Sequence, residues 1–192
     1  MFAGLVRRLT HPSVHDVSPA ADQRRLAITP ESLLTRLPTL GDVLYMPMRP
    51  QTCSARELPH GLLVEVMQLV PLLQTCALAA CSAITVDGPR EWIDCLDREE
   101  RSCARLHLLP DTDYLAWDHL LAGAESTCAR GSLRLREPHP AFAQVVRFHS
   151  RCLAGLTVCG IAASCRTSPL GQHLAKAIAG ADAAPLRMPT LH

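Results

Sequence analysis

Lysine is almost missing from this chain: Lys176 is the only one, so the basic charge is nearly all arginine, a side chain that binds carboxylates and phosphates well. Aromatic residues are also scarce, at 4% of the sequence. With so few, Trp92, Tyr114 and Trp117 are read as core anchors in preference to a stacking platform. An excess of either charge is lacking too. The formal net charge of +1 excludes a general nucleic-acid or acidic-membrane binder. There is no G-x-S-x-G elbow, G-x-G-x-x-G turn or Walker loop, so hydrolase, dinucleotide and nucleotide chemistry have no motif behind them. Long apolar runs are missing as well. The most apolar window, Leu69 to Val86, is interrupted by Pro71, Gln74, Thr75, Ser82 and Thr85 and reads as buried core, with no membrane span. At the N-terminus Arg7 and Arg8 follow a short apolar run with no long h-region, so the expected location is the cytoplasm.

What is present is enough for one sizeable core: 192 residues, 48% of them hydrophobic, with a mean hydropathy of +0.11. The expected fold class is α+β, an antiparallel sheet with packed helices. Residues 1–28 are read as a short N-terminal helix and a loose connection, 29–180 as a single α+β domain, and 181–192 as a flexible tail. Thr29, Pro30 and Glu31 supply a cap, a proline at the first helical position and an acid in the first turn. Leu33, Leu34 and Leu37 then share one face. Pro38 and Gly41 end or kink this helix, and Asp42 to Met46 reads as a strand. Leu62 to Val70 is taken as a strand. Leu72 to Ile84 reads as a helix by propensity, although a buried strand pair would also accept it.

The most informative stretch runs from Glu91 to Pro110, two strand-like segments around a charged turn. In the second segment Cys103, Arg105 and His107 are assigned to one face and Ala104, Leu106 and Leu108 to the other. Asp111 and Asp113 then offer N-caps for a helix with Tyr114, Trp117 and Leu121 along a stripe, stopped by Gly123. From Ala141 to about Cys165, Phe142, Val145, Phe148, Cys152, Leu156 and Cys159 suggest a core-facing helix.

Nine scattered cysteines, odd in number and with no C-x-x-C pair, point to reduced thiols acting as small buried hydrophobes. Among nine histidines only His11 and His15 have H-x-x-x-H spacing, and Pro12 breaks that segment. His149 and Cys152, three apart on the expected last helix, are read as ordinary packing. Asp94, Asp97, Glu99 and Glu100 read as a solvated turn and not as paired acid and base. His60 stands out. It lies in the turn-like Leu58-Pro59-His60-Gly61, where an imidazole reads either as a solvated loop histidine with no role or as an exposed axial ligand for heme iron.

Three segments carry a resemblance: Ser32 to Leu44, with its Leu37-Pro38, Leu40-Gly41 and Val43 wording; Glu57 to Gly61; and Arg90 to Leu108 followed by Asp111 to Leu121. Together, over about residues 31–122, they resemble the bacterial hemin-utilisation family of cytoplasmic heme carriers and hemin-degrading factors. The Arg-Asn pair that often follows the family's first strand is here Arg49-Pro50. The resemblance implies a homodimer of α+β subunits that holds heme by a histidine and by basic side chains meeting the propionates. In this chain it implies His60 as the axial ligand to the metal, Arg49 or Arg56 as propionate partners and His107 as the reserve ligand. The implied role is storage, transfer or utilisation of heme without catalysis, with no nucleic acid and no membrane span. The competing expectation is a non-enzymatic interaction or regulatory domain on the same scaffold without heme. A thiol- or zinc-dependent enzyme is the third.

Overall fold

The computed structural model describes residues 22–49, 59–85, 88–126, 139–163 and 167–187. Among them a 10-stranded sheet forms the backbone of an α+β fold. Its strands are β1 (Asp22–Ala27), β2 (Asp42–Pro47), β3 (Leu62–Val64), β4 (Ala77–Thr85), β5 (Gly88–Leu96), β6 (Ser102–His107), β7 (Glu125–Ser126), β8 (Ala143–Leu153), β9 (Leu156–Ala163) and β10 (Leu186–Arg187). They lie in the order β3-β9-β8-β2-β6-β5-β4-β1-β7, with β10 beside β8. All pairs are antiparallel except β3 with β9 and β10 with β8.

Helix α1 (Pro30–Arg36) begins as its sequence requires: the Thr29 hydroxyl accepts from the Ser32 N–H and Pro30 occupies the first turn. A 3-10 turn, Leu37–Leu40, continues it. Helix α2 (Tyr114–Ala122) is capped by the Asp113 carboxylate and closed at Gly123. These elements and the 3-10 helix Met67–Gln74 press Leu33, Leu34, Leu37, Leu69, Leu72, Trp117 and Leu120 against Val43, Tyr45, Leu78, Ile93, Leu106 and Phe148 of the sheet. On the opposite face helix α3 (Pro169–Ala181) packs Ala175, Ile178 and Ala179 on Leu44, Met46 and Ala143.

Several expectations change. The segment read as a helix from Leu72 to Ile84 is the end of the 3-10 helix followed by β4, whose Ala77 and Ala79 are buried in a strand paired with β1 and β5. The expected strand Leu62 to Val70 is limited to Leu62–Val64. The stripe from Ala141 to Cys165 is no helix. It is the β8–β9 hairpin, which reverses at Ala154 and Gly155, both at positive φ. His149 and Cys152 therefore lie on a strand, three residues apart and on opposite sides of it. Strand β1 falls within the stretch read as a loose connection, and β10 within the stretch read as a tail. The expected N-terminal helix lies outside the described residues. Tyr114 is 55% exposed and anchors nothing, whereas Trp117 is fully buried.

Candidate functional site

The two strands of the hairpin read from sequence are β5 and β6, and a register shift between Cys95 and Leu96 changes what each side chain meets. Cys103 is displaced from the Arg105 and His107 face. Its thiol donates to the Pro71 carbonyl (3.3 Å) and the Cys95 carbonyl (3.1 Å), on the side of the main core. Ser102 takes its place opposite Asp94 (3.0 Å).

Cys103 forms part of the wall of a cavity of about 440 Å3. Pro47, Met48 and Arg49 enter it from the end of β2, Met67, Gln68, Val70, Pro71 and Gln74 from the 3-10 helix, and Ala141 and Phe142 from the approach to β8. Asp97 and Arg101 from the β5–β6 turn complete it. The 3-10 wall is tied to the sheet by the Tyr45 hydroxyl, which donates to the Gln68 carbonyl at 2.6 Å. Phe142 is covered by the Arg187 guanidinium, 3.5 Å from its ring centre. The volume is in the range of small-molecule sites, about 300–1,000 Å3.

Charge in this cavity is arginine, partly neutralised. Arg101 gives two hydrogen bonds to Asp97 (3.0 and 2.8 Å) and pairs with Glu99 at 2.7 Å. Burial pushes the Asp97 carboxyl up, but the hydrogen bonds from Arg101 and from backbone N–H groups outweigh it and hold the group below its ordinary value. Arg49 is exposed at the mouth, and its backbone N–H donates to the His139 carbonyl at 3.0 Å. Burial raises the Cys103 thiol to about 12, so it stays protonated and is a poor thiolate.

The site residues expected from sequence do not converge. Arg49 lines the cavity; Arg56 lies outside the described residues. His60 is exposed in a turn, as expected, but that turn sits beyond the Leu62 end of β3, where the Gly61 carbonyl accepts from Thr157. The cavity takes its first contribution from this segment only at Met67. His107 is buried under α3, its Nε2 3.7 Å from Asp182 and its ring 6.0 Å from Trp92, and neither ring nitrogen is hydrogen-bonded. It is not at the cavity, and the reserve-ligand expectation is not supported by this position. Sequence reasoning missed Met48, Phe142 and Arg101, which become neighbours only through strand pairing.

Among the described residues Cys81, Cys95, Cys103, Cys152 and Cys159 are thiols outside any disulfide. Burial drives Cys81 to about 12 and Cys159 to about 11. Among the described residues no group of three or more His, Cys, Asp or Glu side chains is placed to hold a metal ion, and no helix is long and apolar enough to cross a membrane.

Fold and cavity together define an α+β protein with a mostly antiparallel sheet and an arginine-bordered apolar pocket. Among solved structures the chain is similar to ChuS, the heme-degrading enzyme of Escherichia coli O157:H7, with 19% identity over 60% of this chain and 38% of that one and a TM-score of 0.42. It is similar to the E. coli heme oxygenase ChuS in a second structure (18%, 60% and 38%, TM-score 0.41). Holo-PhuS, a heme-binding protein from Pseudomonas aeruginosa, is matched at 19% identity over the same shares, with a TM-score of 0.37. The chain thus spans well under half the length of these proteins. No family model and no curated protein matches it.

Proposed function

We propose that this protein binds heme in the cytoplasm for storage, transfer or utilisation, as a homodimer and without degrading it. The observation that carries this reading is the cavity: Met48, Val70, Pro71 and Phe142 offer apolar wall to a flat macrocycle, while Arg49, exposed at the mouth, offers a planar fork to a propionate. The sequence resemblance across residues 31–122 supports the same ligand. The residues fit the periphery of heme. When bound, heme would supply a redox-active iron; the chain's own part is to exclude water from the macrocycle and to pair its carboxylates. Arg101 is already engaged by Asp97 and Glu99, so Arg49 is the principal anion partner.

Titration of the reduced protein with hemin tests this. A saturable one-to-one shift of the Soret band is the expected result, and Arg49→Ala weakens binding by about tenfold, the loss of one charge-assisted pair. No saturable shift would overturn the reading. Sedimentation with and without hemin checks the dimer. The interaction-domain alternative draws on a different end of the sheet, where Leu63, Leu153 and Leu156 are exposed around the β8–β9 turn and the short β3 edge. It predicts a partner complex that ignores hemin.

A further inference from the structure

Met48, Cys103 and Met67 bring three sulfur atoms to the wall of one cavity, and the fold exposes them very differently. Met48 is only 8% exposed, and its backbone N–H donates to the Cys103 carbonyl at 3.0 Å. The Cys103 thiol faces the Pro71 and Cys95 carbonyls and keeps its proton, because burial raises the group to about 12. Met67 is the opposite case. It opens the 3-10 helix at the rim of the cavity and is 83% exposed. Its backbone is nonetheless fixed: the Gln68 carbonyl accepts from the Tyr45 hydroxyl at 2.6 Å, the Leu69 N–H donates to the Val66 carbonyl at 3.0 Å, and Leu69 and Leu72 are wholly buried. A thioether is thus held in solvent on an anchored wall, where a ligand seated in the cavity would cover it.

We propose that Met67 is a site of reversible oxidation by a hydroperoxide, and that its sulfoxide weakens ligand binding in the cavity; that the ligand is a porphyrin rests on the heme reading. In the step itself a sulfur lone pair attacks one peroxide oxygen, the O–O bond breaks and an S–O bond forms. The other oxygen leaves as water, so thioether and hydrogen peroxide give sulfoxide and water, with sulfur losing the two electrons that peroxide gains. Cysteine reacts through its thiolate, which Cys103 does not supply. Met46 is fully buried and Met48 nearly so, and exposure therefore singles out Met67 among the described methionines. The product is polar where the thioether was apolar. A porphyrin closing over it must strip water from the new oxygen, at a loss of about tenfold in affinity. The converse also holds: a bound porphyrin covers the sulfur and slows its oxidation. A thiol-dependent sulfoxide reductase reverses the step, two thiols and the sulfoxide giving the thioether, a disulfide and water.

The test treats the full chain with hydrogen peroxide in the dark, with and without iron-free protoporphyrin IX, and reads oxidation by peptide mass spectrometry and porphyrin binding by absorption. Met67 gains one oxygen at least roughly tenfold faster than Met46 or Met48, and bound porphyrin slows that gain. The oxidised protein binds porphyrin about tenfold more weakly until a methionine sulfoxide reductase and a dithiol restore it. Met67→Leu keeps apolar bulk on the wall, binds porphyrin at the wild-type level and ignores peroxide. Met67→Gln binds about tenfold more weakly with no peroxide added. Oxidation of Met48 as fast as Met67, or no shielding of Met67 by porphyrin, overturns the proposal and leaves heme binding standing. A loss of binding that peroxide also causes in Met67→Leu overturns it too, since other groups then carry the effect. Hemin binding without protoporphyrin binding sinks the proposal alone, because the walls then do not hold the macrocycle. Wild-type protein with no saturable shift for either removes both the proposal and the reading beneath it.

Discussion

The two faces of β6 are buried to nearly the same extent by opposite means. Ala104 and Leu106 point into the helix-covered core and are wholly buried among Leu33, Leu72, Ile93 and Trp117. Arg105 and His107, one residue out of phase, are 9% and 4% exposed. They lie among charges. Arg105 makes a bidentate pair with Asp94 (2.8 and 3.0 Å) and reaches Asp182 at 3.5 Å, and Trp92 lies under its guanidinium at 5.3 Å. Asp94, fully buried, also accepts from Ser102 (3.0 Å) and the Trp92 indole (3.2 Å). Burial on the leucine face needs no direction, whereas burial on the charged face holds only while each group keeps its partner. His107 lies beside this network, its Nε2 3.7 Å from Asp182. A histidine out of phase with a leucine face can serve the fold and never meet a ligand.

Removing a partner on the charged face separates these two kinds of burial most sharply. Arg105→Met keeps the volume but leaves the Asp94 carboxylate buried without its cation, and should cost about 3–5 kcal/mol in urea unfolding. Adding Asp94→Leu should recover a large part of that loss, because the stranded charge goes with it. If the double variant is no more stable than the single one, the network is not the reason for the penalty. On the apolar face Leu106→Ala creates a cavity, with an expected loss of about 2–4 kcal/mol and no recovery from any charge substitution. Recovery of Leu106→Ala by Asp94→Leu would erase the distinction between the faces.

This difference also accounts for what could be read in the sequence. The α1 cap at Thr29 and Pro30, strand β2, the β5–β6 hairpin and the Asp113 cap of α2 are written in local residues, and the structure contains each of them. The β8–β9 hairpin was hidden because Phe142, Val145, Phe148 and Cys152 fall at spacings of three and four. Gly155, whose φ of +81° makes the reversal, then looks like an ordinary helix glycine. The alanines of β4 favour a helix alone, but Ala77 and Ala79 are buried in a central strand between β1 and β5, where small side chains fit. Strand β1 shows little apolar signal because Leu26 is its one large core residue. Of the cavity, only Arg49 was legible. Its other walls come from β6, the β5–β6 turn, the approach to β8 and the 3-10 helix, and no sequence spacing relates Arg49 to Phe142.

The smallest expected effect is a slope with pH, and it comes from the charged face alone. Burial lowers the affinity of His107 for a proton, and the nearby Arg105 cation adds to this; Asp182 opposes it without reversing the shift, and Asp94 acts in the same sense as Asp182. The folded-state pKa therefore lies below the ordinary value of 6.5. Between the two values the unfolded chain binds the proton and the folded one does not, so stability rises with pH across that window and levels off above it. Asp182 behaves differently. Burial raises its carboxyl, but His107 and Arg105 outweigh this and bring it below 3.8, so its stabilisation is lost only as pH falls through that lower value. Urea midpoints measured at a series of pH values from about 5 to about 7.5 should thus show a gain in wild-type stability with pH that His107→Phe reduces. The effect of Leu106→Ala should be a nearly constant offset over the same range. Parallel curves for wild type and His107→Phe would mean that the charged face does not titrate through His107, and the contrast between the faces would then rest on Arg105 and Asp94 alone.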